Sequence, residues 1–497
     1  MAAVLLLALG TAIRLWIYFS ALPLRIDEVR LAMNLLERSY ADLFEPLRHG
    51  QAAPLGFLLA GKLIADLGGD NELAYRLLPV LSGILGLWVF WRIARRYLLP
   101  AGAVISLAAI SMSPTLTTRA VDFKQYSSDF LLTAAMLAVA LPWLAGSRSA
   151  GRWLAIVLMG SLCLSFSHPG VFYVAAAGLV WLFQTISARN KEDVARLLVA
   201  SAIWLLVLAV VYEFNMRYSE GKPGLQYYWQ RDFMPTDSPW SSLRWMAASM
   251  LKVPHTLGFN LGRTAYIWLF LLAAIGQVSL VIKERSTGSA MFLMILLPFL
   301  AAVLHQYPFG DRAIIFLLPV FLFMMAEGFN RILMAPNAAR VVLVLVCFSY
   351  MLPFTIREFE RPNYQGGRYD VVSVLKYLRD HAPSDDEEVL VVDTLSYPYL
   401  YYERRLVTDR KATILNFPRG EIASEAARSV LRSALQNRQN SRTVWLVVPD
   451  RRYVERNSYQ KLPPVILSAL GGMGTIEESV EFPNVVVYRV NVSPGEG

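Results

Sequence analysis

The sequence predicts a polytopic α-helical membrane protein of about eleven transmembrane helices with a C-terminal extracytoplasmic α/β domain. Three observations predict it. Of 497 residues, 55% are hydrophobic and 17% charged, against roughly 25% charge in soluble domains, and the mean hydropathy is +0.41. The apolar residues gather into runs, such as ARLLVASAIWLLVLAVVYEF (195–214) and the stretch around 313–326, of the ~20-residue length that crosses a ~30 Å hydrocarbon core. After PNYQGGRYD (362–370), the runs give way to short β-rich segments alternating with amphipathic helices.

Taken in order, the spans fit best at 3–22, 75–95, 99–117, 128–145, 152–167, 170–187, 196–214, 262–282, 290–305, 312–331 and 339–356. Short basic linkers then share one side: Arg92/Arg95/Arg96, Arg148/Arg152, Arg189/Lys191/Arg196, Lys283/Arg285 and Arg331/Arg340. That side is cytoplasmic by the positive-inside rule, placing the N-terminus inside and the C-terminus outside. The same rule accounts for the net charge of +9 without a nucleic-acid partner. The N-terminus lacks a basic n-region and a clear cleavage site, so it reads as a retained span. PLGFLLAGKLIADLG (54–68) is too short to cross and carries Lys62; it reads as re-entrant or interfacial. Arg14 is the one charge inside the first span, and its partner is not readable. Cys163 and Cys347 lie within apolar runs, which excludes a disulfide framework and a thiolate metal site.

This threading makes residues 1–356 a transmembrane domain with external loops at 23–74, 118–127, 215–261 and 306–311, and residues 357–497 a soluble domain. In the latter, VLVVD (389–393), TVWLVVPD (443–450) and VVVYRV (485–490) alternate with helical VVSVLKYLRDH (371–381) and EIASEAARSVLRSALQ (421–436). That order predicts a largely parallel sheet.

The external loops carry the chemistry. LPLRIDEVRLAMNLL (22–36) sets Asp27 and Glu28 between Arg25 and Arg30 where the first span ends. Ile26, Val29, Met33 and Leu36 recur at helical spacing, so the segment reads as an amphipathic helix lying in the interface. An acid in its first turn suits capping and the helix dipole; it equally suits a general base toward an acceptor or a ligand to a divalent cation, with Asp122 as the second acid. TTRAVDFKQYSSDF (117–130) brings Arg119, Asp122, Lys124 and Tyr126 into one tight loop. HQYPFGDRAIIF (305–316) adds His305, Asp311 and Arg312, the last suited to a phosphate. Lys62 reads either as a snorkelling side chain or as a further cation of the site. Together these loops supply what a transferase with a lipid-phosphate donor needs: cations for the leaving phosphate and a carboxylate for the acceptor.

In order and sidedness, RIDE (25–28), QAAPLGFLLAGKL (51–63), ELAYRLLPVLSGILGLWVF (72–90), DFKQYSSD (122–129) and YPFGDRAIIFLLP (307–319) resemble the GT-C glycosyltransferases. The likeness is to their family 39-like branch, which includes protein O-mannosyltransferases and the lipid A aminoarabinose transferase, and it covers roughly the first 360 residues. The resemblance implies sugar transfer from a polyprenyl-phosphate carrier to an unknown lipid, glycan or protein acceptor at the outer face of a bacterial inner membrane, with inversion. It implies Asp27 as the principal acid/base, Glu28 as its neighbour, Asp122 as second acid, and Lys124, Arg119 or Arg312 on the phosphate. Where the aminoarabinose branch has Lys-Pro-Pro, this chain has Ala52-Ala53-Pro54 after Gln51, so no lysine role transfers. Two rivals remain: a lipid-linked glycan transporter, and a polymerase or ligase using an undecaprenyl-diphosphate donor, for which Arg231, Asp232 and His255 in loop 215–261 are the candidates.

Overall fold

The computed structural model describes residues 1–218, 228–259, 261–332, 368–381, 388–406, 412–418, 422–436, 443–455 and 458–492. These form two compact units: 1–21 with 34–332, and 22–33 with 368–492. The segment that carries Asp27 thus groups with the C-terminal residues, a partition that hydropathy does not reveal.

The larger unit is helical. Helix α1 (Ala2–Phe19) leads through a loop region containing α2 (Ile26–Glu37) and α3 (Leu55–Gly68) to α4 (Glu72–Tyr97). Then come α5 (Pro100–Met112), α6 (Pro114–Arg119), α7 (Tyr126–Leu144), α8 (Ala150–Phe166), α9 (Gly170–Ala188) and α10 (Lys191–Phe214). A polar stretch with α11 (Pro239–Ser249) and α12 (Lys252–His255) precedes α13 (Arg263–Lys283), α14 (Arg285–Val303) and α15 (Leu318–Ile332), the last extended upstream by a 3₁₀ segment, Asp311–Leu317. Eight helical segments among the described residues are long and apolar enough to cross a membrane. The expected spans at 99–117 and 152–167 fall on α5 and α8, which are shorter, and the span expected at 339–356 lies outside the described residues. The first of these ends early for a readable reason. Ser113 is both the C-cap of α5 and the N-cap of α6, accepting from the Leu116 amide and donating to the Leu257 carbonyl at 2.7 Å. Pro114 disfavours helical geometry at the residue before it, so the apolar run breaks there.

Arg14 does not snorkel. It is 1% exposed and donates to the carbonyls of Gly10 (2.8 Å) and Ile110 (3.1 Å), tying α1 to α5. Helices α13 and α15 meet backbone to backbone: a Cβ at Gly276 would collide with the Met324 carbonyl, and one at Gly328 with the Leu272 carbonyl. At one end of this contact the buried Glu327 carboxylate accepts from Ser279 (2.6 Å), Lys283 (2.5 Å) and Arg331 (3.1 Å).

In the smaller unit, a five-stranded sheet has the order β2-β1-β3-β7-β6, from β1 (Glu388–Val392), β2 (Ala412–Leu415), β3 (Thr443–Pro449), β6 (Gly474–Phe482) and β7 (Val485–Val492). Strands β4 (Arg451–Glu455) and β5 (Ser458–Lys461) form a separate ribbon. Helices α16 (Val371–His381), α17 (Ser396–Leu406), α18 (Ser424–Gln436) and α19 (Pro463–Leu470) complete it. Only β2-β1-β3 is parallel; β7 and β6 pair antiparallel. The sheet is mixed rather than largely parallel, since β7 runs antiparallel to both β3 and β6; Pro483-Asn484, with Asn484 at φ +62°, is a two-residue hairpin turn that sets the β6–β7 pair.

The glycine contact yields a direct expectation. Gly276→Val or Gly328→Val inserts a branched side chain where backbones touch and costs at least about 1–3 kcal/mol. A lowered thermal midpoint of the detergent-solubilised protein reports it, whereas Gly151→Val, exposed and with open space at its Cβ position, leaves the midpoint in place.

Candidate active site

The loop between α6 and α7 is built around a buried ion pair. Arg119 Nη1 donates to Asp122 Oδ2 at 2.7 Å, and the Asp122 side chain is 1% exposed. Burial draws the Arg119 guanidinium's pKa down, but Asp122 and, less strongly, Asp311 overcome that and Arg312's repulsion, so it lies above its ordinary value. The Ser127 hydroxyl donates to the Arg119 carbonyl at 2.9 Å, tying the first turn of α7 back onto α6. This fixes Tyr126 beside two guanidiniums, with Arg119 5.7 Å and Arg312 5.8 Å from its ring centroid.

Arg312 arrives from a second element. It follows Asp311, at φ +48°, in the 3₁₀ segment before α15. It donates to Tyr228 Oη at 3.2 Å and lies over the rings of Tyr228 (5.4 Å) and Trp229 (5.8 Å). The two supporting segments are clamped by one lysine. Lys252 Nζ reaches Asp232 Oδ1 at 3.3 Å and the Phe309 carbonyl at 3.0 Å, while the Phe309 amide donates to the Asp232 carbonyl. Burial pulls the Lys252 ammonium down to about 8. His305 has a structural role in the same contact, with Nε2 2.8 Å from the Met234 carbonyl and its ring stacked on Phe233. Arg231 is exposed and contributes its carbonyl to Trp245. His255 packs against Tyr266, so Arg231, Asp232 and His255 have separate structural contacts.

Lys124 is buried and donates to Gln51 Oε1, the residue just ahead of the Pro54-led helix α3. Lys62 does not snorkel: its ammonium donates to the Leu35 carbonyl in the last turn of α2 (3.0 Å) and pairs with Asp66 (3.3 Å). Asn34, on α2, is fully buried and exchanges two hydrogen bonds with the Arg48 backbone. His168, held below its ordinary pKa by burial, meets Asn215 at 2.8 Å, and Asn215 donates to the Ala53 carbonyl.

The adjacent acids belong to the other unit and divide their work. Glu28 is 1% exposed and its carboxylate reaches back to the Arg25 amide at 2.8 Å, the acidic half of a capping box. Asp27 is only half-buried. Around them the Leu24 amide donates to Tyr402 Oη at 2.8 Å, and Arg30 lies 4.4 Å over the Tyr397 ring.

Sequence reasoning left Asp129 unassigned. It is 5% exposed, one turn beyond Tyr126, and its Oδ1 has no hydrogen-bond partner; its signal was the i, i+3 spacing from Tyr126 on one helix. Among the described residues no group of three or more His, Cys, Asp or Glu converges. Asp122 is taken up by a guanidinium, a donor set unsuited to a divalent cation.

A bundle of apolar helices with a cationic, aromatic-lined cluster at the first turn of α7 is the architecture of a multi-pass membrane protein with a polar site at a helix end. Residues 52–212 match the family of dolichyl-phosphate-mannose-protein mannosyltransferases. A search of curated proteins gives no match. Among solved structures, ArnT from Cupriavidus metallidurans in the apo state aligns at 15% identity and TM-score 0.55 over 98% of both chains. ArnT from the same organism bound to undecaprenyl phosphate aligns at 16% and 0.56 over 97% of both. An oligosaccharyltransferase of Archaeoglobus fulgidus, in complex with zinc and sulfate, aligns at 13% and 0.53 over 90% of this chain and 68% of that one. The resemblance to GT-C proteins holds at the level of fold, and the chain has the GT-C fold.

Two outcomes are expected here. Arg119→Gln strips Asp122 of its guanidinium and costs about 3 kcal/mol, the lower range for a broken buried pair. The double variant with Asp122→Asn recovers part of that in a thermal double-mutant cycle, whereas strict additivity contradicts the pairing. Lys252 supplies the second. Its folded pKa is depressed, so its contribution to stability rises between about pH 8 and 10.5, while the ion pair to Asp232 exists only below about 8. Activity falls through an alkaline limb near pH 8, and Lys252→Arg moves that limb upward.

Proposed function

We propose that this protein transfers a sugar from a polyprenyl-phosphate carrier to an acceptor at the outer face of a bacterial inner membrane, with residues 357–497 forming a soluble domain on that side. The observation that carries the reading is the convergence of Arg119, Tyr126 and Arg312 at the first turn of a membrane helix within a GT-C fold. ArnT, similar in fold along nearly its whole length, was crystallised with undecaprenyl phosphate, which supports the donor class.

Arg312 is the better phosphate ligand of the two arginines, because Arg119 already serves Asp122 and a guanidinium matches phosphate oxygens two at a time. Lys124, delivered beside Gln51, adds a second cation as the phosphate departs. The isoprenoid chain fits an apolar groove of about 780 Å³ between α3, α8 and α10, walled by Leu55, Leu59, Phe166, Leu206 and Val210. Asp27 takes the acceptor proton; its role is carried by the resemblance and by Glu28 being committed to the helix cap. In the step, the acceptor oxygen or nitrogen bonds to the anomeric carbon as the carbon–oxygen bond to phosphate breaks. The proton passes to Asp27 and the electron pair leaves on polyprenyl phosphate, inverting the centre. The polymerase or ligase rival loses support, since Asp232 and His255 are engaged in loop packing.

Binding of undecaprenyl phosphate to the purified full chain tests the phosphate grip. Arg312→Gln and Lys124→Gln each weaken binding about 10-fold or more, as lost charge-assisted hydrogen bonds do, while Asp27→Asn binds normally but does not turn over. Unchanged binding in both cation variants contradicts the assignment.

A further inference from the structure

Helix α11 has an exposed face that no described element covers. Trp240 (75% exposed), Leu243 (59%) and Ala247 recur at helical spacing along it, the half-buried Leu251 continues the line just past its end, and Trp245 and Ser249 turn inward. A short helix with this pattern, beside the start of membrane-length α13, has the form of an interfacial helix, a setting that would put lipid against this face.

The floor beside that face is basic. A cleft of about 810 Å³ between α11, α12 and the first turns of α13 is lined by Arg244, Lys252, His255 and Arg263, with Tyr266 behind them and no acidic residue in its lining. The four groups come from three separate helices. Arginines that merely snorkel spread along an interface; these share one cavity. The N-terminus of α13, with Gly262 as N-cap, adds its partial positive charge. Apolar flank and cationic floor together match an amphiphile whose head is a phosphate anion and whose tails lie in the membrane.

We propose that this cleft is a headgroup site for an anionic phospholipid, separate from the Arg119–Tyr126–Arg312 cluster. The phosphate is held by Arg244 and Arg263, with Lys252 and His255 at its edge, and the acyl chains run along Trp240, Leu243 and Leu251. The site does not depend on the transfer reaction. Lys252 faces both ways, since it also clamps Asp232 and Phe309, so an occupied cleft bears on the segment that carries Arg312.

Native mass spectrometry of the full-length protein in detergent tests it, with palmitoyl-oleoyl phosphatidylglycerol and phosphatidylcholine offered at equal concentration. The expected result is retention of phosphatidylglycerol about tenfold above phosphatidylcholine, falling to parity in the Arg244→Gln/Arg263→Gln variant. Arg244 and Arg263 are exposed, so an unchanged thermal midpoint certifies the fold; should the double variant fail that check, Arg244→Gln alone still lowers retention about threefold. Equal retention of the two lipids by the native protein overturns the proposal, as does undiminished phosphatidylglycerol in a folded variant. Displacement of the lipid by inorganic phosphate at matched concentration also overturns it, because the cleft would then read the free anion.

Discussion

A carboxylate enclosed in an apolar bundle needs a counter-charge, and the Arg119–Asp122 pair meets that need within three residues. Everything placed by loop 117–130 depends on it. Losing one partner of such a pair costs about 3–5 kcal/mol, while the intact pair contributes little net stability against apolar replacements. Its value here is positional. It sets the α6–α7 turn, from which Lys124 reaches Gln51 and Tyr126 stands between two guanidiniums. The acid and arginine that looked like site chemistry in the sequence form, in the first place, the frame from which Lys124 and Tyr126 are placed.

The same economy appears on the other side of the cluster. Arg312 lies in a 3₁₀ turn that begins from a strained residue, Asp311 at φ +48°, and such a conformation persists only when its surroundings over-determine it. The Asp232–Lys252–Phe309 clamp, the His305–Met234 contact and the Phe233 stack supply that constraint. Histidine and acid residues that could pass for catalytic groups hold a loop in place. A carboxylate with a firm structural partner is a poor general base, because the partner lowers its basicity.

Periodicity and run length made the membrane helices, the amphipathic α16 and α18, and the strands β1, β3 and β7 legible, since local sequence dictates them. Non-local partners were not legible. Arg14 was visible as an intramembrane charge, but its acceptor, the Ile110 carbonyl, lies on another helix. Lys62 looked free to reach headgroups until α2 presented its last carbonyls to it. Lys124 was visible as a loop cation, but only the fold brings it to Gln51. The Ser113-Pro114 break and the Pro483-Asn484 hairpin were written in turn residues, yet hydropathy and strand–helix alternation outweighed them. The polar residues of loops 117–130 and 305–316 stood out in the sequence, because cations and acids are rare in so apolar a chain. Which of them pair with one another was not readable, since that lies in distances.

The central claim is a polyprenyl-phosphate-linked sugar donor consumed with Asp27 as acid/base. Mass spectrometry of lipids co-purifying with the wild-type protein and with Asp27→Asn tests it most directly. The account predicts polyprenyl monophosphate in both, with the sugar-loaded form enriched in the variant because turnover is blocked, and the added mass names the sugar. Absence of any polyprenyl phosphate, or lipid profiles that are identical in the two proteins, would contradict it.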